Sequence, residues 1–486
     1  MKELWFVVGS QDLYGEEVLK TVEKRSKEMA KYLSSKLPYK LTYKVTGQSS
    51  DQITSVMKQA NFDDDCLGVV TWCHTFSPSK MWLNGLELLQ KPWCHLATQY
   101  NLEIPNDEID MDFMNLNQAA HGDREHGFIG ARLRKPRKII AGYWKDEKVI
   151  EKLSDFEKVA YGIYVSKNMK VMRFGDNMRD VAVTEGDKVE AQKKFGWQVN
   201  TWAVGDLVKQ MNEVTTQEVN ALYKKYTNKY TINTENIDAI KYQAREEIAI
   251  KKMLDKNDCK AFCNTFQDLY GMEQLPGLAA QNLMAQGYGF GAEGDWKVSA
   301  MTAILKAMGE NENGASAFME DYTYNLVKGK EYSLGAHMLE VCPSIAEGKP
   351  KIETHHLGIG MNEKDPARLV FEGKKGKAVV VSLIDMGGRF RLIVQDIEVV
   401  KPIMKMPNLP VARVMWKPLP NLTDGIEMWI VAGGAHHSVL SYDVSVEMLK
   451  DFANFMEIEF VHIGKDTNAE QLEKELFVND LVWKLK

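Results

Sequence analysis

The sequence predicts an α/β protein with two doubly wound parallel-sheet domains followed by a β-rich, barrel-like C-terminal domain. Strand and helix patterns alternate through the first third of the chain, and the alternation resumes near Lys170. After Asn311 the pattern changes to short apolar runs separated by glycine and proline. Alternation of strands with helices is typical of a parallel sheet covered on both faces. Short apolar runs between turn residues favour an antiparallel barrel.

The first alternating region has four predicted strands and three predicted helices. The strands are at residues 4–8, 41–45, 67–72 and 93–97, and the helices are at 16–37, 52–60 and 81–89. Ligands bind beyond the carboxyl ends of the strands in such sheets. Because residues 9–11 and 73–76 each follow a predicted strand, we expect them at a ligand-binding edge.

The second alternating region and the β-rich region complete the chain. Strands are predicted at 171–174, 199–203 and 261–266, helices at 188–195, 218–226 and 239–254, and β-runs at 378–384, 390–395, 412–416 and 428–432. A chain of 486 residues has room for about three domains. We therefore predict domains at residues 1–168, 169–315 and 316–486.

Composition indicates a globular enzyme of the cytoplasm. The hydrophobic fraction is 44%, the charged fraction is 26% and the net charge is −6, which argues against a nucleic-acid or anionic-membrane partner. The apolar run at residues 4–8 is shorter than the roughly 7–15 residues of a signal peptide, and no stretch approaches the roughly 18 of a membrane span. Six sparse cysteines are typical of reduced core thiols.

Two carboxylates and two imidazoles are the candidate metal ligands. Glu293 lies in Gly-Phe-Gly-Ala-Glu-Gly-Asp-Trp, Glu320 in Phe-Met-Glu-Asp-Tyr-Thr-Tyr, His337 in Gly-Ala-His-Met-Leu-Glu and His437 in Ala-Gly-Gly-Ala-His-His-Ser. Mixed oxygen and nitrogen ligands suit a catalytic divalent cation such as manganese. Their spacing matches no compact ligand motif. Residue types therefore permit the site, and solvated loop carboxylates with packed histidines are the alternative.

A dinucleotide-type glycine pattern at residues 289–294 is interpreted differently. That fingerprint needs a strand before it and a helix after it, because the pyrophosphate binds at the helix N-terminus. Residues 278–286, just upstream, have helical spacing, and Glu293 within the loop would repel phosphate. We expect instead that the glycines let the backbone close around Glu293.

Several longer motifs resemble one enzyme family. They are Trp-Phe-Val-Val-Gly-Ser-Gln at 5–11, His-Thr-Phe-Ser-Pro-Ser-Lys-Met-Trp at 74–82, Met-Asp-Phe-Met-Asn-Leu-Asn-Gln-Ala-Ala-His-Gly at 111–122, Arg-Phe-Gly-Asp-Asn-Met-Arg at 173–179 and Asn-Thr-Trp-Ala-Val-Gly-Asp-Leu-Val at 200–208. With the segments around the four candidate ligands, they resemble the bacterial L-arabinose isomerase family of the fucose isomerase-like superfamily. The resemblance extends from Leu4 to about Val461, and residues 465–486 carry no recognisable motif.

The resemblance implies a fold, a cofactor and a site. It implies two doubly wound domains, a β domain, and one Mn²⁺ per subunit on Glu293, Glu320, His337 and His437. It also implies substrate contacts and a homohexamer that shares active sites between subunits; the contact residues are Gln11, His121, Met178, Phe266 and His436.

The adjacent histidines need separate interpretation. Neighbouring side chains on an extended segment point to opposite faces, so at most one of His436 and His437 is expected to face the metal. The resemblance assigns that role to His437, which leaves His436 as a supporting or simply buried residue. The His355–His356 pair, His74 and His95 are interpreted as packing or surface residues.

The implied reaction converts L-arabinose to L-ribulose, the first step of L-arabinose catabolism. A divalent ion polarises the carbonyl, and the proton passes through a cis-enediol. Glu293 and Glu320 are the candidates for proton transfer. The sequence leaves open which of them is the base, whether a hydride shift operates, and whether another sugar such as L-fucose or D-galactose is the substrate. A non-enzymatic sugar-binding protein is the alternative from another class.

Overall fold

The computed structural model describes residues 1–358 and 364–485. The chain divides into two units, Met1–Tyr164 and Val165–Lys486. Within the described residues, no helix has the length and apolar character needed to cross a membrane.

The first unit contains a five-stranded parallel sheet in the order β2-β1-β3-β4-β5, as the alternating pattern predicted. Because β1 lies between β2 and β3, the chain crosses to both sides of its first strand. The strands are β1 Glu3–Gly9, β2 Lys40–Gly47, β3 Cys66–Cys73, β4 Trp93–Ala97 and β5 Lys138–Ala141. The helices are α1 Glu16–Ser34, α2 Ser50–Phe62, α3 Leu83–Leu88, α4 Met111–Leu116, α5 Ala119–Leu133 and α6 Glu147–Lys167, with 3-10 turns at Asp12–Tyr14 and Ser79–Trp82.

Helices cover both faces of this sheet. Trp5 and Val7 of β1 belong to one buried cluster with Ile53 of α2. Leu4 points to the other face, where it and Phe156 of α6 border Gly68 of β3. Alternate residues of one strand are therefore buried on opposite sides, which explains why the strand sequence is apolar throughout.

The second unit begins with a four-stranded parallel sheet in the order β10-β9-β6-β7. Its elements are β6 Lys170–Phe174, α7 Lys188–Phe195, β7 Gln198–Trp202, α8 Val204–Asn212, α9 Thr216–Lys229, β8 Thr231–Ile232, α10 Ile237–Lys256, β9 Ala261–Asn264, α11 Gly277–Ala285, β10 Gly289–Gly291 and α12 Trp296–Met308, with a 3-10 turn at Ala182–Thr184. Every residue of α12 is buried, because this helix contacts β9 and β10 as well as the β-rich part of the unit.

The β-rich part closes into a ring, so the prediction of a barrel-like domain is confirmed. Six antiparallel strands run in the order β15-β18-β11-β12-β17-β16, pairing of β15 with β16 completes the ring, and β19 joins β16 in parallel. A small sheet has the order β14-β13-β8. The elements are β11 Ser316–Asn325, β12 Tyr332–Ala336, β13 Lys351–Thr354, β14 Ala367–Val370, β15 Gly376–Asp385, β16 Phe390–Val400, β17 Arg413–Pro418, α13 Leu422–Val431, β18 His437–Ser441, α14 Val446–Phe455, β19 Glu459–Ile463 and α15 Ala469–Lys484, with 3-10 turns at Glu310–Glu312 and Pro343–Ile345.

One predicted strand is wrong. Residues 428–432 form the end of α13 and the turn that follows it. The side chain of Asn421 accepts a hydrogen bond from the Asp424 N–H and starts this helix, and Gly433 with φ +82 follows its end. A short apolar run has the same appearance in a buried strand and in a buried helix. The missed information was the capping residue Asn421, seven positions before the apolar run begins.

Candidate functional site

The loop that carries Glu293 joins β10 to α12. Glu293 has φ +55, and Gly294 after it has φ +75. A side chain at Gly294 would place its Cβ 2.4 Å from the carbonyl oxygen of Asp176, so only glycine fits there. The Met178 N–H donates to the Glu293 carbonyl over 2.9 Å, and the Gly294 N–H donates to the Asn264 carbonyl over 2.8 Å. These bonds fix the backbone on both sides of the Glu293 carboxylate.

The barrel register brings three more candidate residues together. Glu320 of β11 pairs with Ala336 of β12 on one side and with His437 of β18 on the other. His337 follows Ala336 directly. Residues separated by as many as 117 positions (437 − 320) thus become neighbours through the antiparallel register alone.

The side chains converge on one another. His437 Nε2 lies 3.6 Å from Glu293 Oε2, and His337 Nε2 lies 3.8 Å from Glu320 Oε2. His436 Nε2 lies 3.4 Å from Glu293 Oε2 and 4.0 Å from Glu320 Oε1, so it connects the two carboxylates. All four predicted ligands therefore adjoin one cluster, and His436 joins it as a fifth potential donor.

The expectation that His436 and His437 face opposite ways is wrong. Both Nε2 atoms lie within 4 Å of the same Glu293 oxygen. His436 occupies a bend before β18 begins at His437, and Gly433 with φ +82 lies just upstream. Alternation of side chains holds only for regular extended backbone, and the chain at His436 is not a strand.

Two buried carboxylates orient the ligand histidines, and the sequence argument missed both. His437 Nδ1–H donates to Asp295 Oδ2 over 3.1 Å, and His337 Nδ1–H donates to Glu340 Oε2 over 2.5 Å. A carboxylate can only accept, so each Nδ1 carries hydrogen. Each Nε2 then turns toward the cluster. The only signal for them in the sequence was proximity: Asp295 lies two residues after Glu293, and Glu340 lies three residues after His337.

Burial and neighbouring charges oppose one another in this cluster. Burial raises the pKa of Glu293, but the hydrogen bond from His436 and the charge of His437 outweigh it and leave the pKa below its usual value. Burial lowers the pKa of His337, yet the charge and hydrogen bond of Glu340, together with the charges of Glu320 and Glu293, raise the pKa overall. Burial likewise raises the pKa of Asp295, and Lys297 and His437 reverse the shift. The Glu293 and Asp295 carboxylates are therefore held in their charged form.

The donor set fits a divalent cation. One ligand atom each from Glu293, His436 and His437 lies within 4.8 Å of the others. His437 Nε2 is buried and has no hydrogen-bond partner among residues 1–358 and 364–485, an arrangement that costs free energy unless the lone pair is used. Carboxylate oxygens combined with imidazole nitrogens suit a transition metal such as manganese.

The predicted substrate contacts lie in both units. In the second unit, half-buried Met178 and Phe266 follow the carboxyl ends of β6 and β9. In the first unit, Gln11 Nε2 donates to the Phe76 carbonyl over 3.2 Å, and the Phe76 and His121 rings make an edge contact at 6.3 Å. Gln11 and His121 thus belong to one group at the carboxyl ends of β1 and β3.

The glycine pattern at 289–294 lies in a different context from the one expected. A short strand, β10, does precede the loop, and α12 follows it. The N-terminus of α12 is occupied by Asp295, whose Oδ1 accepts the N–H groups of Lys297 and Val298. Because a carboxylate fills the position that a pyrophosphate would need, the conclusion against dinucleotide binding rests on Asp295 as well as Glu293.

Comparisons with known proteins agree along the chain. Family models match residues 1–168 as the L-arabinose isomerase N-terminal domain, residues 170–311 as its central domain and residues 315–459 as its C-terminal domain. The chain belongs to the L-arabinose isomerase family. A relative named L-arabinose isomerase from Thermotoga maritima is 51% identical over 487 residues, which cover 99% of this chain and 98% of the relative. Relatives of that name from Shouchella clausii and Geobacillus stearothermophilus are each 52% identical, over 98% and 99% of this chain and 98% of each relative. The resemblance inferred from the motifs is confirmed, and this L-arabinose isomerase family member is an enzyme of the isomerase class.

Proposed function

We propose that this protein isomerises L-arabinose to L-ribulose with Mn²⁺ as cofactor, as the first step of L-arabinose catabolism in the cytoplasm. The observation that carries the proposal is the pair of carboxylates, Glu293 and Glu320, joined through His436 at 3.4 and 4.0 Å. Aldose–ketose isomerisation needs two groups that exchange protons with adjacent carbon and oxygen atoms. The relatives are named L-arabinose isomerase, which supports L-arabinose as the substrate.

The proposed ligands of one Mn²⁺ per subunit are Glu293, Glu320, His337 and His437. When bound, the ion would supply Lewis acidity that polarises the sugar carbonyl and stabilises the negative charge that develops on its oxygen. Asp295 and Glu340 hold His437 and His337 by their Nδ1 atoms. Such outer partners fix the imidazole orientation and raise its basicity.

The proton transfers fall to the two carboxylates. One of Glu293 and Glu320 removes the proton from C2 of the aldose. The electron pair of that C–H bond forms the C1–C2 double bond while the C1=O π pair moves to O1, which gives a cis-enediol once O1 is protonated. The other carboxyl group moves a proton between the two hydroxyl oxygens. Return of the first proton to C1 then gives the ketose, so the substrate and product have the same composition. His436, within hydrogen-bonding distance of Glu293, is positioned to contact a sugar hydroxyl.

Substitution of each carboxylate tests this assignment. Glu293→Gln and Glu320→Gln should each lower kcat at least about 10²-fold, because a positioned acid or base contributes that much. Glu310→Gln, which alters an exposed carboxylate of the same unit, is the matched control and should retain wild-type kcat. A variant of Glu293 or Glu320 that keeps its kcat with metal bound would remove that residue from the scheme.

The active site is proposed to include residues from a neighbouring subunit of a homohexamer. Gln11 and His121 lie in the first unit, whereas all four proposed metal ligands lie in the second. A Gln11/His121 double variant mixed with a Glu293 variant should regain part of the activity after subunit exchange. Verified mixed oligomers without any recovery would mean that each chain builds its own complete site.

A further inference from the structure

Lys297, in the first turn of α12, has an environment that is costly for a lysine. Its side chain is only 1% exposed, and its Nζ lies 3.5 Å from Asp295 Oδ1. The same Nζ donates to the Thr184 carbonyl over 3.0 Å and to the Glu185 carbonyl over 2.5 Å. A buried ammonium is retained only where such partners replace water.

Asp295 connects this ammonium to a candidate metal ligand. Its Oδ1 accepts the backbone N–H groups of Lys297 and Val298 over 3.1 and 3.2 Å. Its Oδ2 remains for His437 Nδ1, 3.1 Å away. The charge of Lys297 therefore acts on a carboxylate that caps α12 with one oxygen and orients the His437 imidazole with the other.

The other contacts of Lys297 reach the turn at Ala182–Thr184. The Thr184 carbonyl also accepts from Asn177 Nδ2 over 2.6 Å, and Asn177 is the residue before Met178. Asn177 Nδ2 lies 3.4 Å from the Gly294 carbonyl as well, directly after Glu293. Through Asp295 and the Thr184 carbonyl, Lys297 is thus linked to His437, to Asn177 and to the loop that carries Glu293.

We propose that Lys297 is a positioning residue for the metal centre: it fixes Asp295, and through Asp295 the direction of His437 Nε2. The proposal rests on the proposed function, because it concerns the affinity of that same site for Mn²⁺. Lys297 is neither one of the proposed metal ligands nor one of the proposed proton-transfer groups. It acts through Asp295.

The same helix contains a matched control. Lys306 is also completely buried in α12. Its Nζ donates to the Gly314 carbonyl over 3.2 Å, to Ser344 Oγ over 3.3 Å and to Asn313 Oδ1 over 3.5 Å. None of these partners is among the candidate ligands or the carboxylates that orient them. Lys306→Met therefore measures the general cost of removing a buried ammonium from α12.

The experiment compares the Mn²⁺ dissociation constants of the variants. Metal-free full-length protein is titrated with Mn²⁺, and the concentration of free Mn²⁺ is measured by electron paramagnetic resonance. Lys297→Met should bind Mn²⁺ about 10–100-fold more weakly than wild type, the usual loss for an outer partner of a metal ligand. Lys306→Met should bind Mn²⁺ as wild type does, even if its Tm falls. Lys297→Arg should recover most of the affinity, because the charge opposite Asp295 is restored.

Lys297→Gln provides a second test should the methionine variant fail to fold. Its amide can still donate to the Thr184 carbonyl but carries no charge, so the same 10–100-fold loss is expected. A folded Lys297→Met or Lys297→Gln protein with wild-type Mn²⁺ affinity would overturn the role of Lys297 alone. Wild-type protein that binds no Mn²⁺ would overturn the proposed function, and the role of Lys297 with it.

Discussion

Gly291, the last residue of β10, offers a sensitive test of how the Glu293 loop is built. A Cβ at this position would lie 2.3 Å from the Asp295 carbonyl oxygen and 2.6 Å from Val298 Cγ1. Ordinary contact begins at 3.4 Å, so Gly291→Ala requires β10 and the start of α12 to separate by roughly 1 Å (3.4 − 2.3). That movement displaces Asp295 and Glu293 together, since both lie in the segment between the two elements.

The expected magnitudes follow from this displacement. Overpacking of a buried position costs about 1–3 kcal/mol of the free energy of unfolding. A displacement of about 1 Å in a positioned group can cost about 10² in rate, so kcat should fall by about that factor while the protein remains folded. The assay is initial-rate L-ribulose formation at saturating Mn²⁺ and L-arabinose, alongside denaturant unfolding of the same preparation.

Gly205→Ala is the matched control. Gly205 lies in α8 of the same unit. Apart from its chain neighbours and the adjacent backbone of α8, no heavy atom of the described residues is within 4 Å of the position its Cβ would occupy. This variant should keep its kcat and be unchanged or slightly more stable, because alanine favours a helix over glycine by about 0.5–1 kcal/mol. Wild-type kcat in Gly291→Ala would refute the argument that close packing of this loop positions Glu293.

Three further predictions concern acidity, orientation and the reaction path. Burial lowers the pKa of His337, but the charge and hydrogen bond of Glu340, together with the charges of Glu320 and Glu293, raise it above 6.5 overall. Since the proton must leave before metal binds, Mn²⁺ affinity should fall as pH decreases through that raised pKa, and titrations that show no such fall would contradict it. Burial raises the pKa of Glu157 from 4.5 to about 8, so between those pH values the folded state holds a proton that the unfolded state has lost. The free energy of unfolding should therefore fall by up to about 4–5 kcal/mol as pH rises through that range. Glu157→Gln should remove this dependence when denaturant unfolding is compared at pH 5 and pH 8. Isomerisation in D₂O should place deuterium at C1 of L-ribulose through the enediol, whereas a product without deuterium by NMR would favour a hydride shift.

The alternation of strands and helices was sufficient to predict most of the fold. Runs such as residues 67–72 and 188–195 contain their own periodicity and punctuation, and they correspond to β3 and α7. Residues 428–432 show where this fails, because five apolar residues fit either a strand or a helix and the cap at Asn421 decided the outcome. A local pattern predicts a helix or strand well when the residue that distinguishes the two lies within the pattern itself.

The sequence was enough to name the candidate ligands but not the residues that orient them. Glu293, Glu320, His337 and His437 were found by resemblance, since nothing local indicates that β11, β12 and β18 are neighbours. Asp295 and Glu340 matter because of what they contact in three dimensions, and no spacing rule identifies an outer partner of a histidine. The Asp295–His437 contact joins residues 142 positions apart, a pairing that a single sequence does not disclose.

The most direct test of the central proposal is L-ribulose formation by metal-free protein before and after reconstitution. Purified protein is chelated exhaustively, incubated with L-arabinose, and assayed for ketose with no metal, with Mg²⁺ and with Mn²⁺, in parallel with L-fucose and D-galactose. The proposed site, with imidazole among its donors, predicts no ketose without metal, the fastest formation with Mn²⁺, and L-arabinose as the preferred sugar. Full activity after exhaustive metal removal, or faster turnover of another sugar, would contradict it.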